Sequence, residues 1–160
     1  MICKKSNIKI RCLKCLKVLA LFSVTTVLII VGAMWASKGP LPYNGFNAAL
    51  SVEEAPGSLR ANSEYFINVK IKNISKTLWP LKAERADGKF TIHLAYHWVD
   101  KSGKMVVFDG ERTRLPGDVK PGEEVSLKAR VIAPPQAGEY RLEFDMVQEA
   151  VSWFKEKGSK

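Results

Sequence analysis

Cysteine is confined to the first 15 positions: Cys3, Cys12 and Cys15 are the only three in a chain of 160 residues. Everything after them has no disulfide of its own and no thiolate metal site. Acidic residues are missing from the first 38 positions, although Lys4, Lys5, Lys9, Arg11, Lys14, Lys17 and Lys38 lie there. Histidine occurs twice, as His93 and His97. There is no GxSxG, no phosphate-binding P-loop, no GxGxxG ahead of a helix and no Cys/His nucleophile pair. Common hydrolase and nucleotide-binding chemistries lack their residues, so a non-enzyme without cofactors is the expectation. Internal repeats and low-complexity stretches are absent too.

The formal charge of +9 first suggests nucleic acid. Its distribution argues against that partner. The remaining 122 residues hold 18 basic and 16 acidic side chains, and a nucleic-acid footprint needs basic residues clustered on a folded surface. Cys12-Leu13-Lys14-Cys15 has CxxC spacing, but no second pair and no surrounding βαβ unit accompanies it. It reads as a pair of thiols beside a membrane, on the reducing side.

Val18 to Ser37 is an uncharged run of 20 residues. At about 1.5 Å per helical residue, it matches the roughly 30 Å hydrocarbon core of a bilayer. Six basic residues precede it and Lys38 follows. The positive-inside rule puts residues 1–17 in the cytoplasm as a basic tail and the C-terminal domain outside. A single-pass signal-anchor in a bacterial inner membrane, with its domain in the periplasm, is the expectation. The alternative is a signal peptide cleaved after Val31-Gly32-Ala33, which the length of the apolar run opposes. No cysteine follows the run, so there is no lipoprotein signature. Residues 38–45, with two prolines and two glycines, read as a linker.

From residue 46 onward the period is two. Phe46, Ala48, Leu50 and Val52 alternate, as do Tyr65, Ile67, Val69 and Ile71. Ile92, Leu94, Tyr96 and Trp98 mark one face of a strand, and His93, Ala95, His97 and Val99 the other. Met105 to Phe108 returns after the Asp100-Lys101-Ser102-Gly103 turn. Val125, Leu127, Ala129 and Val131 form another set, then Tyr140, Leu142, Phe144 and Met146. Short alternating strands between Pro/Gly turns predict an all-β domain over 46–160, an antiparallel β-sandwich with Trp98 in its core. Gly138-Glu139-Tyr140 has the form of a tyrosine corner.

The segments AYHWVDKSGKMVVFDGERTRLP, DVKPGEEVSLKARVIAP and AGEYRLEFDMVQEAVSWF resemble an immunoglobulin-like domain of bacterial surface and polysaccharide-related proteins. Such domains are sometimes appended to glycosyltransferases or methyltransferases. More distantly, the chain is similar to the tryptophan-rich immunoglobulin-like domain of eukaryotic selective-autophagy receptors. The resemblance implies an immunoglobulin-like fold and a non-enzymatic accessory role, with no catalytic residues to carry over. It departs at the end, where only KEKGSK follows Trp153-Phe154. Either 147–154 serves as the last strand, or one sheet keeps an open edge that could accept a strand from a partner.

On a strand, His93 and His97 share a face but stand about 13 Å apart, too far for one tetrahedral ion. Asp109 and Glu111 could be a glycosidase carboxylate pair. Arg112 and Arg114 beside them favour a structural polar network instead, with Asp145 or Glu149 as a further partner. Trp79, before a proline in a loop, and Trp153, near the end of the sequence, are candidate exposed platforms. Gln148 and Glu149 would complete a glycan or peptide site at Trp153. The expectation is a binding or assembly module for an envelope protein or polysaccharide. The alternatives are a carboxylate-dependent glycan-processing enzyme and a structural remnant of a longer protein.

Overall fold

The computed structural model describes residues 39–81 and 86–159. The basic tail and the 18–37 run lie outside them. Among the described residues, no helix is long and apolar enough to cross a membrane.

The described residues are all-β, with two antiparallel sheets. The first has the order β1 (Ala48–Glu54), β2 (Glu64–Asn73), β6 (Glu124–Ile132). The second runs β4 (Met105–Val107), β3 (Ile92–Asp100), β7 (Tyr140–Gln148), β8 (Ser152–Trp153), with β5 (Thr113–Arg114) also paired to β3. Alternation explains the register, because strands can share a face only if their apolar sets align. Ile71 lies opposite Val125, Val69 opposite Leu127 and Ile67 opposite Ala129. In the second sheet Trp98 faces Leu142, Tyr96 faces Phe144 and Leu94 faces Met146. These inward sets meet in one core shared by both sheets. Val52 departs from the expected alternation. It stays in register opposite Val69, just ahead of a bulge between Val52 and Glu54, but it is 45% exposed.

Polar atoms inside the core are bonded. Trp98 is buried, as its pattern predicts, and its Nε1 donates to the Ile132 carbonyl at 2.9 Å. The Ile132 N–H donates to Tyr96 Oη at 3.0 Å. Two β3 side chains thereby satisfy the last residue of β6. Tyr140 Oη donates to the Gln136 carbonyl at 3.1 Å, the bond a tyrosine corner requires.

Both ends of the domain are strapped to it. Residues 38–45, read as a linker, contribute Leu41 to the core, and its N–H donates to Gln148 Oε1 at 2.8 Å. At the other end β8 pairs only with Val147 and Gln148. Phe154 then enters the core, edge-on to Phe46 and Trp79 with centroids 5.0 and 5.2 Å away. A 3-10 turn over Lys155–Lys157 follows. Ser159 Oγ bonds both the N–H and the carbonyl of Ala48, at 3.0 Å each.

Candidate functional site

The outer face of β3 is covered, which alternation alone does not predict. Ala95 and Val147 pack with Trp153. The His97 ring lies 4.4 Å from Trp153. Phe108 packs on both rings, at 5.3 and 5.5 Å, while the Arg112 guanidinium stands over Trp153 at 5.1 Å. His97 Nδ1 donates to the Phe108 carbonyl. The 109–114 loop can lie this close because residue 110 is glycine. Gly110 donates its N–H to the Tyr96 carbonyl at 3.0 Å, and a Cβ there would fall 2.5 Å from that oxygen.

Arg112 organises the charges of this face. Its Nη1 contacts Asp109 at 2.6 Å and its Nε donates to Glu149 at 2.7 Å. The same Glu149 oxygen lies 2.9 Å from His93 Nδ1. Burial alone would raise the Glu149 carboxyl, but the bonds to Arg112 and His93 outweigh it and hold the group below its ordinary value. Burial likewise opposes charge on Arg112, and Glu149 with Asp109 keeps that guanidinium above its ordinary value. Glu111 pairs instead with Arg130, which also binds Glu64 at 2.6 Å. The Asp109 and Glu111 carboxylates thus serve different arginines.

Several expected roles change. Trp79 is not an exposed platform, being 0% exposed. Its backbone bridges Val119 in both directions, and its Nε1 donates to the Gly45 carbonyl at 2.9 Å. Trp153 is 9% exposed and lies under Arg112 and Phe108. Gln148 is fully buried. Its Oε1 accepts from Leu41, and its Nε2 donates to Phe90 at 3.0 Å and Gly39 at 3.4 Å, leaving it nothing to offer a ligand. Glu149 is the second partner of Arg112, one of the two arrangements the sequence suggests. Asp145 is the other, and it takes no part in that network. It is buried, accepts the Met146 N–H at 2.7 Å and both its oxygens face the Lys155 N–H at 3.3 Å. Burial pushes its carboxyl up. Arg114 lies exposed in β5 opposite His93, outside the ion pairs. Among the described residues no group of three or more His, Cys, Asp or Glu is placed to hold a metal.

No family model, curated protein or solved structure matches this chain.

Two surface features remain. A shallow cleft of about 390 Å³ beside Phe108 and Arg112 reaches Trp153 and Glu156; Phe108 is 53% exposed there. A wider groove of about 670 Å³ opens at one end of the sandwich, lined among others by Leu59, Trp98, Tyr140 and Leu142. The outer edge of β7 begins at this groove. On that side the Met146 carbonyl accepts from Phe154 and the Gln148 carbonyl from Val151. Backbone groups alternate in direction along an antiparallel strand, so Tyr140, Leu142 and Phe144 present theirs to the same side. Among the described residues no strand pairs with that stretch. Its signal was in the sequence: apolar Tyr140, Leu142 and Phe144 at period two.

Proposed function

We propose that this chain is a non-catalytic binding or assembly module of the cell envelope. The described domain is an immunoglobulin-like sandwich held outside the inner membrane by the 18–37 run, and it engages another protein through the outer edge of β7. The observation that carries the reading is the stretch from Tyr140 to Phe144, paired to β3 on one side and, among the described residues, to no strand on the other. Edge strands are normally short, charged or covered because they template pairing with another chain. Here the stretch is half-buried and apolar on its inner face, with Arg141 and Glu143 on its outer face, and an extended partner can pair with it by strand addition.

Two further facts favour a binding role over catalysis. Asp109 and Glu111 are held by different arginines, Arg112 and Arg130, whereas a glycosidase needs its two carboxylates flanking one bond. The buried positions of Trp79 and Trp153 remove the two stacking platforms that the sequence suggested for a polysaccharide, which favours a protein partner.

In-cell photocrosslinking tests the reading. A photoreactive residue at Glu139, where β7 begins, is expected to trap a protein adduct. One at Lys72, exposed in the central strand β2 of the other sheet, serves as the control. Equal, background-level trapping at both positions would sink the proposal.

A further inference from the structure

We infer that the partner at this edge is a second copy of the chain, paired through β7 antiparallel to itself about a two-fold axis at Leu142. This rests on the module reading above and names its partner.

The available window is bounded on both sides. Toward the end of β7, the Met146 N–H is taken by Asp145 Oδ1 and its carbonyl by Phe154. Before Tyr140 the chain turns away through Gly138, where Tyr140 Oη is bonded to Gln136. What remains outward is the backbone of Tyr140, Leu142 and Phe144, a window centred on Leu142. An isologous interface requires a self-complementary patch. Two such windows laid antiparallel match Leu142 with the partner's Leu142, and Tyr140 with the partner's Phe144, all in hydrogen-bonded positions.

The side chains of the outer face select the same register. Pairing about Leu142 sets Arg141 directly opposite the partner's Glu143, and symmetry repeats the pair. Moving the axis to Arg141 would oppose two arginines, and moving it to Glu143 would oppose two glutamates. Like charges directly opposite are destabilising and unlike charges favourable. Within one chain Glu143 already pairs with Arg141 at 2.6 Å and Lys155 at 2.5 Å, so the dimer would share this acid with a second arginine. Above the window, Leu50 of β1 is half-buried against the same core. The Ala48 edge groups are taken by Ser159; those of Leu50, two residues on, point the same way. A second copy would cover Leu50, Leu142 and Phe144 together. The interface is short, so association is expected to be weak and dependent on concentration.

Disulfide trapping of the full chain in non-ionic detergent tests the register. Cys3, Cys12 and Cys15 are first changed to Ser. Directly opposed positions that are not hydrogen-bonded have Cα atoms about 4.5 Å apart, within disulfide reach. Residue 141 and its own symmetry mate are diagonal, beyond about 7 Å. Mixed Arg141→Cys and Glu143→Cys chains should therefore cross-link on the order of tenfold faster than either chain alone. Sedimentation of the otherwise unmodified chain gives a second readout. Arg141→Glu should weaken self-association about tenfold, and Arg141→Glu combined with Glu143→Arg should restore it. Equal cross-linking in the mixture and in each variant alone, or a chain that stays monomeric at every concentration, overturns the second copy. In that case an adduct of another mass at Glu139 leaves the module reading standing, and no adduct ends both.

Discussion

Gln148 accepts the Leu41 N–H at 2.8 Å across 107 residues of sequence. One fully buried side chain joins the entry of the domain to the last residue of β7, and its amide nitrogen also reaches the Phe90 carbonyl. Gln148→Leu removes these bonds and leaves the buried Leu41 N–H without its acceptor. Leaving buried groups unsatisfied costs roughly 1–3 kcal/mol each. A loss of about 3 kcal/mol in denaturant unfolding is expected, whereas a loss below about 1 kcal/mol would show that water replaces these bonds.

Gly110→Ala places a Cβ 2.5 Å from the Tyr96 carbonyl oxygen. That oxygen is backbone in the middle of β3, so the loop must lift. The displaced 109–114 segment would loosen Arg112 and Phe108 on Trp153. A destabilisation of about 2–4 kcal/mol is expected, with lost near-ultraviolet dichroism from Trp153. An unchanged spectrum would contradict the packing.

Trp153→Ala empties the space beneath Arg112, Phe108 and His97 and should cost about 3 kcal/mol. Glu149→Gln is milder because both partners are partly hydrated. It should cost about 1 kcal/mol at neutral pH. The Glu149 carboxyl is held below its ordinary value, so its contribution is present above the unfolded pKa and is lost as pH falls through the native one. The difference between wild type and Glu149→Gln should shrink on acidification, which thermal melts across pH will read.

Asp145 has the opposite sign. Burial pushes its carboxyl up, so the native state keeps this proton where the unfolded chain has released it. Stability from this group is full below the unfolded pKa, about 3.9, and is lost as pH rises through the higher native value. Asp145→Asn removes the buried charge and keeps an oxygen for the Met146 N–H. It should raise Tm at neutral pH, with the gain vanishing in acid. A lower Tm at neutral pH would mean that the carboxylate's bonds to Lys155 N–H outweigh its burial.

The long strands were legible because their apolar residues repeat at two over four or more positions, as in Tyr65–Ile71 and Val125–Val131. β5 and β8 have two residues each, too few for any period to register. Burial of Trp79 was hidden for another reason. Its covering comes from Val119, Gly45 and Phe154, distant positions that a local reading of a tryptophan before proline does not bring together. The Arg112–Glu149 pair was half visible: composition placed arginines beside acids, but only the β3–β7 register and Gly110 choose Glu149 over Asp145.

The strap at Leu41 also has a mechanical consequence. Tension arriving along the chain from the N-terminal side meets the Leu41–Gln148 bond and the burial of Leu41 before it reaches β1. The load passes first to β7, a strand hydrogen-bonded along its whole length to β3. β1, which lies at an edge and among the described residues pairs only with β2, is shielded from peeling until that clamp gives way.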